Sequence, residues 1–193
     1  MTEREQRIIT TKVEIRSEEG QPTKMIGYAA KFNRWSKPIY GLFIERLDPH
    51  CFDETDMNDV VALVNHDTNK VLGRAGVNVQ LTVDEIGLRF EITPTDTSYA
   101  RDLAENMRAG VIKECSFAFS IPENGDEIAR YSDKLTERTI KKIDTLYDIS
   151  IVTNPAYSDT EAVLSQRSLE RYQPLANDEE KIKQLEMEMQ VYG

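Results

Sequence analysis

The sequence is short of the residues that most often announce a cofactor or a covalent scaffold. Its 193 residues include two cysteines, Cys51 and Cys115, two histidines, His50 and His66, and one tryptophan. Two thiols cannot build the disulfide framework of a small secreted protein, so a reducing compartment is the simpler expectation. His50, Cys51, His66 and Asp67 are nominal metal ligands, but no HExxH and no paired CxxC occurs, and no metal or other cofactor is expected. Nine glycines and seven prolines are too few for a collagen-like or low-complexity chain. No apolar run approaches the roughly 18–20 residues that cross a bilayer. The charged opening, Met1-Thr2-Glu3-Arg4-Glu5-Gln6-Arg7, lacks the apolar core of a signal peptide. Excess positive charge is also missing: 24 Lys and Arg face 34 Asp and Glu, a formal net charge of −10. Such a chain repels phosphate backbones, and no local basic patch offsets this. The expectation is a soluble cytoplasmic protein with neither nucleic acid nor membrane as partner.

What the sequence does contain is β-patterned. Residues 8–16 are rich in β-branched side chains and read as a strand, Ser17-Glu18-Glu19-Gly20 as a turn, and Met25–Phe32 as the hairpin partner. Leu42–Leu47 reads as a short strand, and Asp48-Pro49 as the opening of a short helix. The apolar run Val60–Val64 reads as a buried strand that ends in Asn65-His66-Asp67. Val77–Val83 and Gly87–Ile92 form two further strands. Thr97-Ser98 caps a helix through Ala109, with Ala100, Leu103, Ala104 and Met107 at helical spacing and Gly110 as the stop. Cys115–Ile121, Thr139–Ile143 and Leu146–Val152 are strands, with residues 122–136 as a polar loop or hairpin tip. This tally, seven to nine strands and one strong helix, predicts a mainly β, barrel-like core with added helices. The domain is expected over residues 1–160, followed by a charged, helical or flexible tail over 161–193.

Three polar residues stand out within these strands. His66 sits at the polar end of a core strand, where a rigid scaffold presents side chains to solvent; the plain alternative is an ordinary loop-facing residue. His50, in a turn after Pro49, reads as a surface histidine. Alternation in Cys115-Ser116-Phe117-Ala118-Phe119 places Ser116 on the face opposite the two Phe, as either a small polar residue or a nucleophile for a histidine to deprotonate. Cys115 is the rival nucleophile, but it shares the Phe face and reads as core. Asp148 is an acid built into the apolar strand that continues Ile149-Ser150-Ile151-Val152, and a buried carboxylate needs a partner. That partner is either a histidine whose tautomer it fixes or a cation such as Lys141 or Lys142. Asp67 and Glu45 are the rival acids. Composition and pattern permit a Ser–His–Asp hydrolase and also permit these plainer readings.

Four segments in order resemble the HK97-type prohead (capsid maturation) serine proteases of tailed bacteriophages. They are Gly27–Asn33 followed by Phe43–Phe52; Asn65-His66-Asp67 with Val71-Leu72-Gly73-Arg74; Arg108–Ile112 leading into Ser116-Phe117-Ala118-Phe119; and Leu146–Tyr157, which ends in a Pro155-Ala156 turn. The resemblance spans about residues 27–160. It departs from the family pattern at His50-Cys51, at Glu114-Cys115 beside the serine, where small residues are usual, at Asp148, where Glu is frequent, and at Asn154.

The resemblance implies a fold like the herpesvirus assembly proteases, a β-barrel core surrounded by helices. It implies a serine endopeptidase with Ser116 as nucleophile, His66 as base and Asp148 as the orienting acid, without a cofactor. The implied substrates are the phage scaffolding protein or the scaffolding domain of the major capsid protein, cut inside the immature prohead in the host cytoplasm. Self-cleavage is implied as well, and self-association is left open by the sequence. The rivals are a non-catalytic capsid-assembly or scaffolding protein that keeps the fold, and an unrelated β-barrel binding domain.

Overall fold

Every residue of the segment Glu114–Ser120 is buried, on both faces, and the architecture is organised around that strand. The computed structural model describes residues 4–9, 13–16, 22–39, 43–129, 135–153 and 162–163. Within them the elements run β1 (Arg4–Ile9), β2 (Glu14–Arg16), β3 (Lys24–Lys31), β4 (Phe43–Leu47), β5 (Val61–Val64), β6 (Asp67–Arg74), β7 (Val79–Val83), β8 (Gly87–Ile92), α1 (Ser98–Arg108), β9 (Glu114–Ser120), β10 (Asp126–Ala129), β11 (Thr136–Ile140), β12 (Thr145–Val152) and β13 (Ala162–Val163). A six-stranded sheet has the order β13-β1-β9-β12-β5-β6, a four-stranded sheet β2-β3-β8-β7, and a three-stranded sheet β10-β11-β4.

The six-stranded sheet carries the residues of interest. β9 is flanked by β1 and β12, both antiparallel to it, and β12 is joined on its far side by β5 in parallel. Directly opposed residues share a face. Cys115, Phe117 and Phe119 point with Ile149, Ile151 and Leu146 into one continuous apolar core, where the Phe117 and Phe119 rings stack with centroids 4.9 Å apart. The other face aligns Ser116 with Ser150 and Ala118 with Asp148.

The helix forms as its pattern dictates. The Thr97 hydroxyl accepts from the Ala100 amide, Ala109 closes the C-terminus, and Gly110 adopts a φ of 73°. Ala100, Leu103, Ala104 and Met107 are its buried residues, and the Tyr99 hydroxyl donates to the Val71 carbonyl of β6 at 2.8 Å.

The expected β-barrel surrounded by helices is not what the chain builds. The three sheets are open, and α1 is the single helix among the described residues. Isolated bridges, Phe32 to Leu47 and Ala75 to Val79, tack one sheet to the next without extending into a closed ladder. Only residues 97–109 combine helical spacing with caps. The Asp48-Pro49 segment makes turns instead of a helix: the Asp48 carboxylate accepts from the His50 amide at 2.9 Å, and the amides of Cys51, Asp53 and Thr55 reach back three residues each. The segment read as one strand over 8–16 is two, β1 and β2, in different sheets. β2 does pair antiparallel with β3, while the turn at Ser17–Gly20 lies outside the described residues. So do the boundary at residue 160 and the tail beyond Val163.

Candidate active site

His66 owes its position to a two-residue hairpin. Val64 of β5 pairs with Asp67 of β6, leaving Asn65 and His66 as the connection, with φ of 53° and 55°. Two consecutive positive φ values define the tight hairpin whose twist matches its strands, and Asn and His tolerate that region better than most residues. The tip is pinned to the end of β12. The Asn65 amide donates to the Ile151 carbonyl at 3.1 Å, and the Asn65 side-chain oxygen accepts from the Thr153 amide at 2.9 Å.

From that tip the imidazole lies over the face that carries Ser116 and Asp148. His66 Nε2 is 2.6 Å from Ser116 Oγ, and His66 Nδ1 is 2.6 Å from Asp148 Oδ1. Ser150, between the two strand partners, accepts from the His66 amide at 3.1 Å and donates to Asp148 Oδ1 at 3.1 Å. The second carboxylate oxygen of Asp148 accepts from Arg4 Nη2 of β1. The Arg4 guanidinium also lies 5.5 Å from the centre of the Tyr147 ring, and the Tyr147 hydroxyl donates to Ser120 Oγ at 3.2 Å.

Electrostatics favour an uncharged imidazole. Burial, then the Arg4 cation, push His66 down to about 4 from its usual 6.5, and the Asp148 carboxylate pulls the other way. A neutral imidazole with Nδ1–H donated to Asp148 leaves Nε2 as an acceptor for the serine hydroxyl, an arrangement able to raise the nucleophilicity of Ser116. Ser116 itself has 0 % exposure and Asp148 2 %.

The chain matches the family model of the caudovirus prohead serine proteases over residues 11–174. It belongs to that family. Among solved structures it is similar to the bacteriophage T4 capsid assembly protease, at 9 % identity and a TM-score of 0.45, over 77 % of this chain and 99 % of that one. Comparison with curated proteins returns no match.

The remaining candidates of this prohead serine protease lie elsewhere. His50 is on the surface, bonded to Asp53 at 3.1 Å. Cys115 faces the core, and burial pushes its thiol up to about 12. Asp67 accepts from the Asn69 amide at 2.9 Å and pairs with Lys70. Glu45 is buried against Arg7 and Arg138. Lys141 pairs with Asp48 and Lys142 with Glu54, so neither serves Asp148. The Arg74 amide, in the segment of the resemblance that follows His66, donates to Asn78 Oδ1 at 3.0 Å. Among the described residues no three His, Cys, Asp or Glu converge as metal ligands, and no helix is long and apolar enough to cross a membrane.

Two contributors escaped the sequence reading. Ser150 was legible, since alternation puts it on the Asp148 face. Arg4 was not: its strand begins in the charged opening, where no apolar periodicity marks it.

Proposed function

We propose that this protein is an endopeptidase in which Ser116 is the nucleophile, His66 the general base and acid, and Asp148 the group that orients His66. The observation that carries this reading is the unbroken chain Ser116 Oγ, His66 Nε2, His66 Nδ1, Asp148 Oδ1, with both contacts at 2.6 Å. Ser116 Oγ attacks the scissile carbonyl carbon as its proton passes to His66 Nε2. The imidazolium, steadied by the Asp148 carboxylate, then gives that proton to the departing amine. Water repeats the sequence on the acyl-serine, with His66 again as base, and releases the acid product. Asp148 stays ionised throughout, and Arg4 and Ser150 hold its two oxygens in place.

The substrates in this reading are the phage scaffolding protein or the scaffolding domain of the major capsid protein, met inside the immature prohead within the host cytoplasm. The family supports a capsid-maturation role. Self-cleavage and self-association belong to the same proposal, as does a protease domain over residues 1–160 followed by the charged segment 161–193, whose Ala162–Val163 strand still pairs with β1.

A fluorophosphonate probe tests the centre of the proposal. The full chain is expected to label at Ser116, with labelling and cleavage of co-expressed capsid protein both lost in Ser116→Ala, while Cys115→Ala keeps both. Absence of labelling in folded protein would instead favour a non-catalytic assembly role.

A further inference from the structure

Glu114 opens β9 and retains 9 % of its exposure, yet its Oε2 is buried without a hydrogen-bond partner. A carboxylate so placed has lost water and gained no donor for that atom, which is unfavourable unless a further group completes it. Its location says where that group comes from. Alternation along β9 sets Glu114 on the face of Ser116, and the register pairs Glu114 with Val152, Ser116 with Ser150 and Ala118 with Asp148. Along this face Asp148 lies to one side of Ser116 and Glu114 to the other. Two strand residues span about 6.6 Å, the same rise as two residues of an extended peptide laid along the sheet. Ser116, at 0 % exposure, and Glu114, at 9 %, are both covered on this one face of the sheet.

We propose that Glu114 is a specificity-determining residue that receives the side chain of a substrate lysine or arginine located within two positions of the scissile bond. The proposal rests on Ser116 being the nucleophile. A neutral donor at that position gives the buried oxygen a hydrogen bond but no countercharge, and an acidic side chain adds a like charge in a water-poor setting; a cation with N–H donors supplies both the bond and the charge. A divalent metal is the poorer occupant, because it requires several oxygen ligands and no group of three ligating side chains forms among the described residues. The net charge of −10 also favours the approach of basic peptide segments.

Digestion of a proteome-derived peptide library that retains internal Lys and Arg, with cleavage sites read by mass spectrometry, tests this. The full chain is expected to show Lys and Arg enriched at one fixed position within two residues of the cut, by about 10²-fold over norleucine in matched synthetic peptides. In Glu114→Gln that ratio is expected to fall below about 10-fold, and in Glu114→Lys to turn toward Asp and Glu. The ratio is taken within each variant, so a change in overall rate does not enter it. An unchanged ratio in both variants, or a wild-type profile without basic enrichment, overturns the role of Glu114. Fluorophosphonate labelling of wild-type Ser116 separates the two levels: labelling without basic preference sinks this inference alone, and absence of labelling sinks the nucleophile assignment beneath it.

Discussion

At the scale of single residues, the site is a division of one carboxylate between two duties. Asp148 Oδ1 meets His66 and Ser150, while Oδ2 meets Arg4. Replacing Asp148 by Asn preserves volume but offers an N–H where the imidazole needs an acceptor, so the wrong tautomer is held. Cleavage is expected to fall by about 10⁴-fold, as in the best-studied triad, with labelling at Ser116 slowed in parallel. Asp148→Glu is expected to retain part of the activity, because the acceptor survives. Arg4 acts differently. Its positive charge disfavours the imidazolium, so Arg4→Gln is expected to raise the pKa of His66 and to move the acid limb of the kcat/KM profile to higher pH. An acid limb unmoved in Arg4→Gln, whatever the loss in rate, would show that Arg4 only braces the strand.

At the scale of elements, the strands legible in the sequence are those whose inward residues are apolar. β8 over Gly87–Ile92 and β9 after the helix were readable because their core-facing side chains alternate or run together. β6 was missed because most of its residues are exposed at a sheet edge, so no apolar alternation marks Asp67–Lys70. β10 was hidden, and β11 (Thr136–Ile140) was read three residues late as Thr139–Ile143, for the opposite reason. They bury charge: Asp126 and Arg138 pair at 2.7 Å, and Arg138 also reaches Glu5 and Glu45 at 3.0 and 2.9 Å. Arg7, stacked 5.3 Å from the Phe119 ring centre, completes this group and ties β1 of the large sheet to β4 of the small one. Hydropathy scores such residues as loop, and only tertiary pairing makes them strand. Breaking the network leaves buried carboxylates facing one another. Arg138→Met is therefore expected to cost about 3–5 kcal/mol, seen as a lower urea midpoint. A loss below about 1 kcal/mol would mean that water or rearrangement compensates the acids. The His66, Ser116 and Asp148 candidates were legible as residue types at strand positions, but their convergence was not. Convergence depends on the parallel pairing of β5 with β12 and on the two-residue turn at Asn65-His66.

At the scale of the whole molecule, the buried imidazole of His66 ties stability to pH. His66 is held near 4 in the folded chain against 6.5 when free, so between those values the unfolded chain binds a proton that the folded one refuses. Stability then rises with pH across this window and falls as acid is added, reaching its floor below about pH 4. The shift corresponds to at most about 3 kcal/mol, reduced to the extent that Asp148 stabilises the imidazolium. Urea unfolding at pH 7, 5.5 and 4 of wild type and His66→Gln reads the contribution of the His66–Asp148 pair, because the titrating groups away from it are shared. The wild type is expected to lose stability more steeply than His66→Gln between pH 6.5 and 4, with the two curves parallel above pH 7. Parallel curves throughout would place the folded-state pKa close to its free value. In that case the imidazole would be largely protonated at mildly acid pH, and the acid limb of cleavage would sit near 6.5 as well. Unfolding and kinetics thus read the same proton on His66 from two sides, and agreement between them is the stronger test.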